Sequence, residues 1–274
     1  MTATATVRPL AAADAAALRG LIDAEPYVNA AIAARLAAGP VVSRDLVGIG
    51  DPLTAACFVG GTLLPIGGAA PEWAALAGSL RTRPRPCSSI VGPAETLGGL
   101  WPELESAWGP AREIRATQPL LVLHRPPAIA PDRLVRPAVV ADLERYLPAA
   151  AAMFAEELGI APLRGARAHA LRTRLAELIA SGRALVRTDR RGKVVFKAEI
   201  AAVSRHTAQV QGVWVHPDRR GQGLGTAAMA AVVEYALRLA PAVSLYVNDF
   251  NRPARRVYQR LGMRQVGTVS TVLF

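Results

Sequence analysis

The chain has 274 residues, 51% of them hydrophobic, and a formal net charge of +11. That length suits two domains better than one, and that composition lets each bury a core. A membrane-spanning helix is excluded, because the longest apolar stretch, Tyr146 to Ala155, falls well short of the roughly 18 residues required and contains Pro148.

The opening residues, Met1 to Arg8, show no basic region followed by an apolar run, so no secretory signal is expected. The only cysteines, Cys57 and Cys87, fit a reduced, cytoplasmic setting. The four histidines have no paired spacing, and no metal site is expected. Residues 1–130 carry ten Arg against ten Asp plus Glu, so the whole excess of charge lies in residues 131–274. A partner bearing several phosphates suits that half; coenzyme A and nucleic acid both qualify.

In chain order, Val7-Arg8-Pro9 runs into a predicted helix over about Asp14–Ala24. Strand-like runs follow at Ala55–Val59 and Leu120–Leu123. Residues 94–108 read as a helix in which Trp101 and Trp108 pack. The Pro-rich stretch from Arg125 to Pro131 reads as a linker, dividing the chain into 1–130 and 131–274. Val135-Arg136-Pro137, with Ala141-Asp142 three residues beyond, repeats Val7-Arg8-Pro9 and Ala13-Asp14 at an offset of 128. Five matched positions predict two copies of one fold.

The second half reads more clearly. Leu134 to Pro137 suits a strand, and Leu143, Leu147, Ala150, Phe154 and Leu158 recur at helical spacing. A second helix spans about Ala166 to Ser181. Ala184–Thr188 and Lys193–Ser204 form a hairpin, and Gln209–Val215 forms the next strand. A Gly-rich loop leads into a helix with Leu224, Ala228, Val232, Tyr235 and Leu239 on one face. Val243–Val247 is a strand, Asn251 can cap a helix ending at Gly262, and Gln265–Phe274 is a last strand. This order predicts an α/β layered domain with a mixed sheet flanked by helices.

The segment with chemistry runs Val213-Trp214-Val215-His216-Pro217-Asp218-Arg219-Arg220-Gly221-Gln222-Gly223-Leu224-Gly225-Thr226. A strand, a glycine loop and a helix N-terminus in succession aim several backbone N–H groups and a positive dipole end at one concavity. Arg220 adds a charge, and the arrangement suits a pyrophosphate. No Gly-Lys followed by Ser or Thr is present, and G-x-G-x-x-G fails at Thr226. The N-terminal half shows no such loop.

The pattern Arg220-x-x-Gly223-x-Gly225, with His216-Pro217-Asp218 before it, resembles the acetyl-CoA signature of the GCN5-related N-acetyltransferase (GNAT) superfamily. Leu245-Tyr246-Val247-Asn248-Asp249-Phe250-Asn251, leading to Ala254, Tyr258, Leu261 and Gly262, is similar to the same superfamily's later motif. The resemblance covers about Gln209 to Met263. With the repeat, it implies a tandem arrangement of the bacterial type, with 1–130 a degenerate GNAT-like or accessory domain and 131–274 a catalytic N-acetyltransferase domain.

The resemblance also implies roles. The backbone of Val213, Trp214 and Val215 holds the pantetheine arm. Arg220, Gly221, Gln222, Gly223, Leu224, Gly225 and Thr226 cradle the pyrophosphate, and Asn251 contacts the cofactor arm. Tyr258 stands at the position of the family's usual acid. The expected reaction moves an acetyl group from acetyl-CoA, without a metal, to an amine acceptor that the sequence does not identify.

For the general base, alternation along residues 194–202 places Lys197 and Glu199 on one face, and Glu199 is the first choice. Glu156 and Glu157 are rivals that read as surface acids. Gln209 and Gln211 are placed to orient a water, and His216 reads as structural. Two other classes stay open: a non-catalytic acyl-CoA binder, and a nucleic-acid or ribosome-associated protein. The second is disfavoured because the basic residues are dispersed and no aromatic-basic stripe accompanies them. Oligomerisation is left open.

Overall fold

The computed structural model describes residues 5–39, 45–159 and 164–274; part of the opening stretch discussed above, residues 1–4, lies outside them. The first half contains β1 (Val7–Pro9), α1 (Ala15–Ala24), α2 (Ala30–Ala38), β2 (Leu46–Ile49), β3 (Ala55–Val59), β4 (Thr62–Gly67), α3 (Ala70–Leu80), β5 (Ser89–Pro93), α4 (Ala94–Trp108) and β6 (Glu113–Leu123). The second contains β7 (Arg136–Pro137), α5 (Leu143–Leu158), α6 (Gly165–Ala180), β8 (Ala184–Thr188), β9 (Val194–Val203), β10 (Ala208–Val215), α7 (Leu224–Ala236), β11 (Val243–Tyr246), α8 (Arg252–Arg260) and β12 (Arg264–Leu273). Short 3-10 turns at Ala12–Asp14 and Val140–Asp142 follow the first strand of each half, and the two halves share one order of elements. The duplicated Val-Arg-Pro motif is thus the visible remnant of a duplicated fold.

The repeated residues make the same contact twice. Arg8 donates to both carboxylate oxygens of Asp14, at 2.7 and 2.8 Å, and Asp14 Oδ2 also accepts the N–H of Ala11 at 2.7 Å. Arg136 donates to both oxygens of Asp142, at 2.6 and 3.0 Å, and Asp142 Oδ2 accepts the N–H of Val139 at 2.9 Å. Each bidentate clamp fixes the turn between a strand and its helix. The Arg8 guanidinium and the Ala11 N–H hold the Asp14 carboxyl at about 2, and Arg136 holds Asp142 below the usual range. Both carboxyls therefore bind protons more readily in the unfolded chain. Their stabilisation is complete above the unfolded value near 3.8 and is lost as pH falls through the folded values. Acid titration followed by circular dichroism should show wild-type stability falling between about pH 4 and 2. Asp142→Asn should lose less over that window, having less to lose.

The chain forms two compact units. The first comprises Met1–Leu121, Tyr246–Asn251 and Gln265–Phe274. The second comprises Val122–Leu245 and Arg252–Arg264. In the first, the strand order is β1-β2-β3-β4-β5-β12-β6. Alternation on β3 feeds two cores. Ala55 and Cys57 face α3 and α4 through Trp73, Leu76, Leu100 and Leu104, while Ala56 and Phe58 face α1 and α2 through Leu18, Ile22 and Ile32. Both cysteines are buried free thiols.

In the second unit the order is β11-β10-β9-β8-β7. Tyr146, Ala150 and Met153 of α5 and Leu171, Leu175 and Leu178 of α6 cover one face, over Ala184, Val186, Val194 and Trp214. Helix α7 is shorter than the sequence suggests: it ends at Ala236, and Leu239 lies beyond it, 40% exposed. Ala228, Met229, Ala230, Val232, Val233 and Ala236 are all buried, so α7 is covered on more than one side and a single apolar stripe does not mark its end. Among the described residues, no helix is long and apolar enough to cross a membrane.

Candidate active site

The site grows from two irregularities in β10. The first is its pairing with β11. The parallel ladder has two rungs, Ala208↔Val243 and Gln209↔Ser244, and stops there while β10 continues to Val215. The backbone of β10 beyond Gln209 is left open on that side. The second is a bulge against β9. Glu199 pairs with Gln211 and Lys197 pairs with Trp214, so Gly212 and Val213 together oppose Ala198 alone. Gly212 takes φ +59°, and a Cβ there would stand 3.1 Å from Glu199 Cδ, Glu199 Oε1 and Lys197 Nζ. Only glycine suits both the dihedral and the space.

The expected pairing of Lys197 and Glu199 on one face is present, and both side chains are buried. Lys197 Nζ donates to Glu199 Oε1 at 2.6 Å, while Arg174 of α6 and Gln211 donate to Oε2 at 2.9 and 3.2 Å. Burial alone would raise the pKa of this carboxyl, but Lys197 and Arg174 outweigh it and hold Glu199 below the usual range. The pair lies between the bulge and the ring of Tyr146, whose centroid is 5.4 Å from Lys197 Nζ. Gln209 is buried and Gln211 exposed, so of these two glutamines Gln211 is the one that links Glu199 to the surface.

After Val215, His216 Nδ1 accepts the N–H of Asp218 and a 3-10 turn spans Pro217–Arg219. Gly221 and Gly223 take φ +72° and +79°, and a Cβ on either would meet open space. Gly225 lies against Val215: a Cβ on Gly225 would stand 3.3 Å from Val215 Cγ2, so the first turn of α7 packs on the strand. Thr226 and Ala227 donate back to Gly223 O. Among the described residues, the N–H groups of Gly221, Gln222, Gly223, Leu224 and Gly225 have no acceptor. Five amides at the positive end of a helix can hold a diphosphate.

Arg220, about half exposed at the start of the loop, is also tied to the strand. Its Nε donates to Val215 O at 3.0 Å and its NH2 to Glu156 Oε2 at 2.6 Å. Glu156 Oε1 also accepts the indole N–H of Trp214 at 3.1 Å. In the sequence Glu156 reads as a surface acid, because nothing along the chain links the end of α5 to Trp214 and Arg220.

Tyr258 is buried on α8. Burial, reinforced by the Glu157 carboxylate, pushes its phenol well above the usual value. Asn251 directly precedes α8 and donates its N–H to Asn248 O at 3.0 Å.

The first unit repeats the strand pattern but closes it. Its parallel rungs are Thr62↔Ser89 and Leu63↔Ile90. Pro65, which has no N–H, then fills the divergence, its ring 2.8 Å from where a Cβ on Gly92 would stand. Only Gly68 and Ala69 separate β4 from α3. Trp73 occupies the space beside Gly68, and Glu72 Oε2 accepts the Ala69 N–H at 3.1 Å. A carboxylate thus already sits at this helix N-terminus. Calorimetric titration with coenzyme A should give one site per chain; a second equivalent site would mean that the first unit also holds the ligand.

Residues 152–263 match the model of the acetyltransferase (GNAT) family, and residues 45–146 match a domain of unknown function, DUF4081. An uncharacterised N-acetyltransferase of Methanocaldococcus jannaschii is 37% identical over 62 residues, 22% of this chain and 27% of that protein. A peptidyl-lysine N-acetyltransferase of Salmonella typhimurium is 36% identical over 58 residues, 21% of this chain and 37% of that protein. The matched stretch is well under half the length of either relative. A solved tandem GNAT protein from the clavulanic acid biosynthesis pathway shares the fold at TM-score 0.56 and 18% identity, with 98% of each chain covered. Residues 152–263 thus match the GNAT acetyltransferase family, and the chain as a whole shares the fold of a tandem GNAT protein.

Proposed function

We propose that the C-terminal half, residues 131–274, transfers an acetyl group from acetyl-CoA to an amine in a ternary complex, in the cytoplasm and without a metal. The observation that carries this reading is the joining of an open, bulged β10 edge to five unpaired amides at the start of α7. A thioester arm needs the first and a diphosphate needs the second. In this reading the backbone of Val213, Trp214 and Val215 pairs with the pantetheine arm. The amides from Gly221 to Gly225 hold the pyrophosphate, with Gln222 and Thr226 flanking them, and Asn251 contacts the arm.

An alkylammonium must lose a proton before attack, at a cost of about 4.6 kcal/mol at pH 7. Glu199, kept ionised by Lys197 and Arg174, accepts that proton through a water at Gln211 and passes it to solvent; its lowered pKa makes it a relay and not a store. The free amine attacks the thioester carbonyl carbon, the carbon–sulfur bond breaks, and the departing thiolate takes up the second proton that the nitrogen sheds as the amide forms. Tyr258 stays protonated because its pKa is raised, so it stabilises the departing sulfur by donating a hydrogen bond.

The test is release of free coenzyme A from acetyl-CoA with a pooled amine panel, using Gly223→Glu as the inactive control. Binding without turnover across the panel would instead mark an acyl-CoA sensor. Tyr258→Phe should lower kcat by about 100-fold while coenzyme A still binds.

A further inference from the structure

We infer that Glu156 is a positioning residue for the coenzyme loop, an inference that rests on the function proposed above. Its carboxylate ties the end of α5 to both sides of the strand–loop junction. Oε1 takes the indole N–H of Trp214, which stands beside the bulge, and Oε2 takes the guanidinium of Arg220, which opens the glycine loop. Arg220 also holds Val215 O through Nε, so three points around the turn from β10 to the loop are joined through one carboxylate.

The geometry has two consequences. The indole N–H of Trp214, 6% exposed, has its partner in Glu156 and keeps its ring in the core against α5 and α6. The Arg220 guanidinium is drawn to the strand side, where its Nε and NH2 are engaged. It therefore acts on the diphosphate through the loop's shape. Gly221 and Gly223 have open space around them and offer no packing to hold the loop, so its conformation depends on what fixes its first residue. Without Glu156, Arg220 keeps only its Nε bond to Val215 O, and the amides from Gly221 onward are held less firmly in their common aim.

The effect should be confined to the phosphate end of the ligand. Acetyl-CoA carries the diphosphate and the adenosine 3′-phosphate and S-acetylpantetheine carries neither, so the ratio of their kcat/KM values reads the nucleotide end, and its change in a loop variant reads the loop. In Glu156→Ala that ratio should fall about two- to fivefold, because the Glu156–Arg220 pair is about half exposed and an exposed pair contributes modestly. Arg220→Ala leaves the Trp214–Glu156 bond in place and should give a similar fall, so it reads the same quantity if Glu156→Ala folds poorly. The double variant should fall no further than the single ones, since each breaks one shared link.

A wild-type ratio near one would overturn the proposed cradle itself. A wild-type preference for acetyl-CoA that both single variants retain would overturn the role of Glu156 and leave the cradle standing. An equal loss on both substrates in both variants would likewise overturn it, showing a general packing contribution.

Discussion

Residues 131–274 produced without residues 1–130 will fail to give a monodisperse protein that binds coenzyme A. The reason lies in where the C-terminal segments fold. Residues Gln265–Phe274 belong to the first unit, where β12 pairs with β5 from Val269↔Pro93 to Leu273↔Ser89. Val269 and Val272 are 1% exposed there, and burying two such side chains is worth about 3–6 kcal/mol. Phe274 adds its ring to Trp101 and Trp108, at centroid distances of 5.4 and 6.1 Å. Loss on this scale is comparable to the whole stability of a domain, typically about 5–15 kcal/mol. An unpaired β12 would also present an apolar edge to other chains.

The second loss is closer to the chemistry. Residues Tyr246–Asn251, which lead to Asn251 and α8, are hydrogen-bonded to β6. Val247 donates its N–H to Pro119 O and Asp249 donates to Thr117 O, both at 3.2 Å. A buried polar chain reinforces this. Thr271 donates to Gln118 Oε1 at 2.6 Å, and Gln118 donates to Asn248 Oδ1 at 2.8 Å. Removing Gln118 with the rest of β6 takes away both hydrogen bonds, at about 0.5–1.5 kcal/mol each. Size exclusion, thermal melting and calorimetry on the truncated chain give the answer. A monomer that melts like the full chain and binds coenzyme A would show that the C-terminal half needs nothing from residues 1–130.

This interlocking is illegible in the sequence, and the physical reason is general. Periodicity reports which face of an element is buried, not which strand lies beside it. Gln265–Phe274 reads as a strand because of Val266, Val269 and Val272, and nothing in those letters assigns it to β5. The Pro-rich stretch at 125–131 reads as a linker on composition, although residues beyond it complete the first unit. Local signals are more informative. The strand Ala184–Thr188, the glycine loop and the shared face of Lys197 and Glu199 each follow from short-range spacing, and the structure has them. In the first half, α2 and α3 leave little trace, because Ala-rich runs such as Ala30–Ala38 carry little contrast between faces. Glu156 is hidden for a different reason, since its partners Trp214 and Arg220 lie far along the chain.

Gly212→Val should abolish turnover, with kcat/KM falling at least about 100-fold, the scale set by an ångström of misplacement at a reacting centre. Two costs combine. Position 212 is left-handed, which a side-chain-bearing residue adopts at about 1–2 kcal/mol, and β-branching makes it worse. The added carbons would also enter the space held by Glu199 and Lys197. Those groups cannot move apart cheaply, because breaking a buried ion pair costs about 3–5 kcal/mol. The strand has one other escape, which is to lose the bulge. That slips the register by one residue and turns Trp214 and Val215 to opposite faces, so Trp214 leaves the core and Val215 no longer backs Gly225. Either route displaces the backbone that would hold the thioester. The two are separable by experiment. If the ion pair is the obstacle, Lys197→Met with Glu199→Leu should recover much of the melting temperature that Gly212→Val loses, without recovering activity. If the dihedral is the obstacle, that combination should recover nothing. A Gly212→Val protein with wild-type kcat/KM would show that the bulge has no part in the reaction.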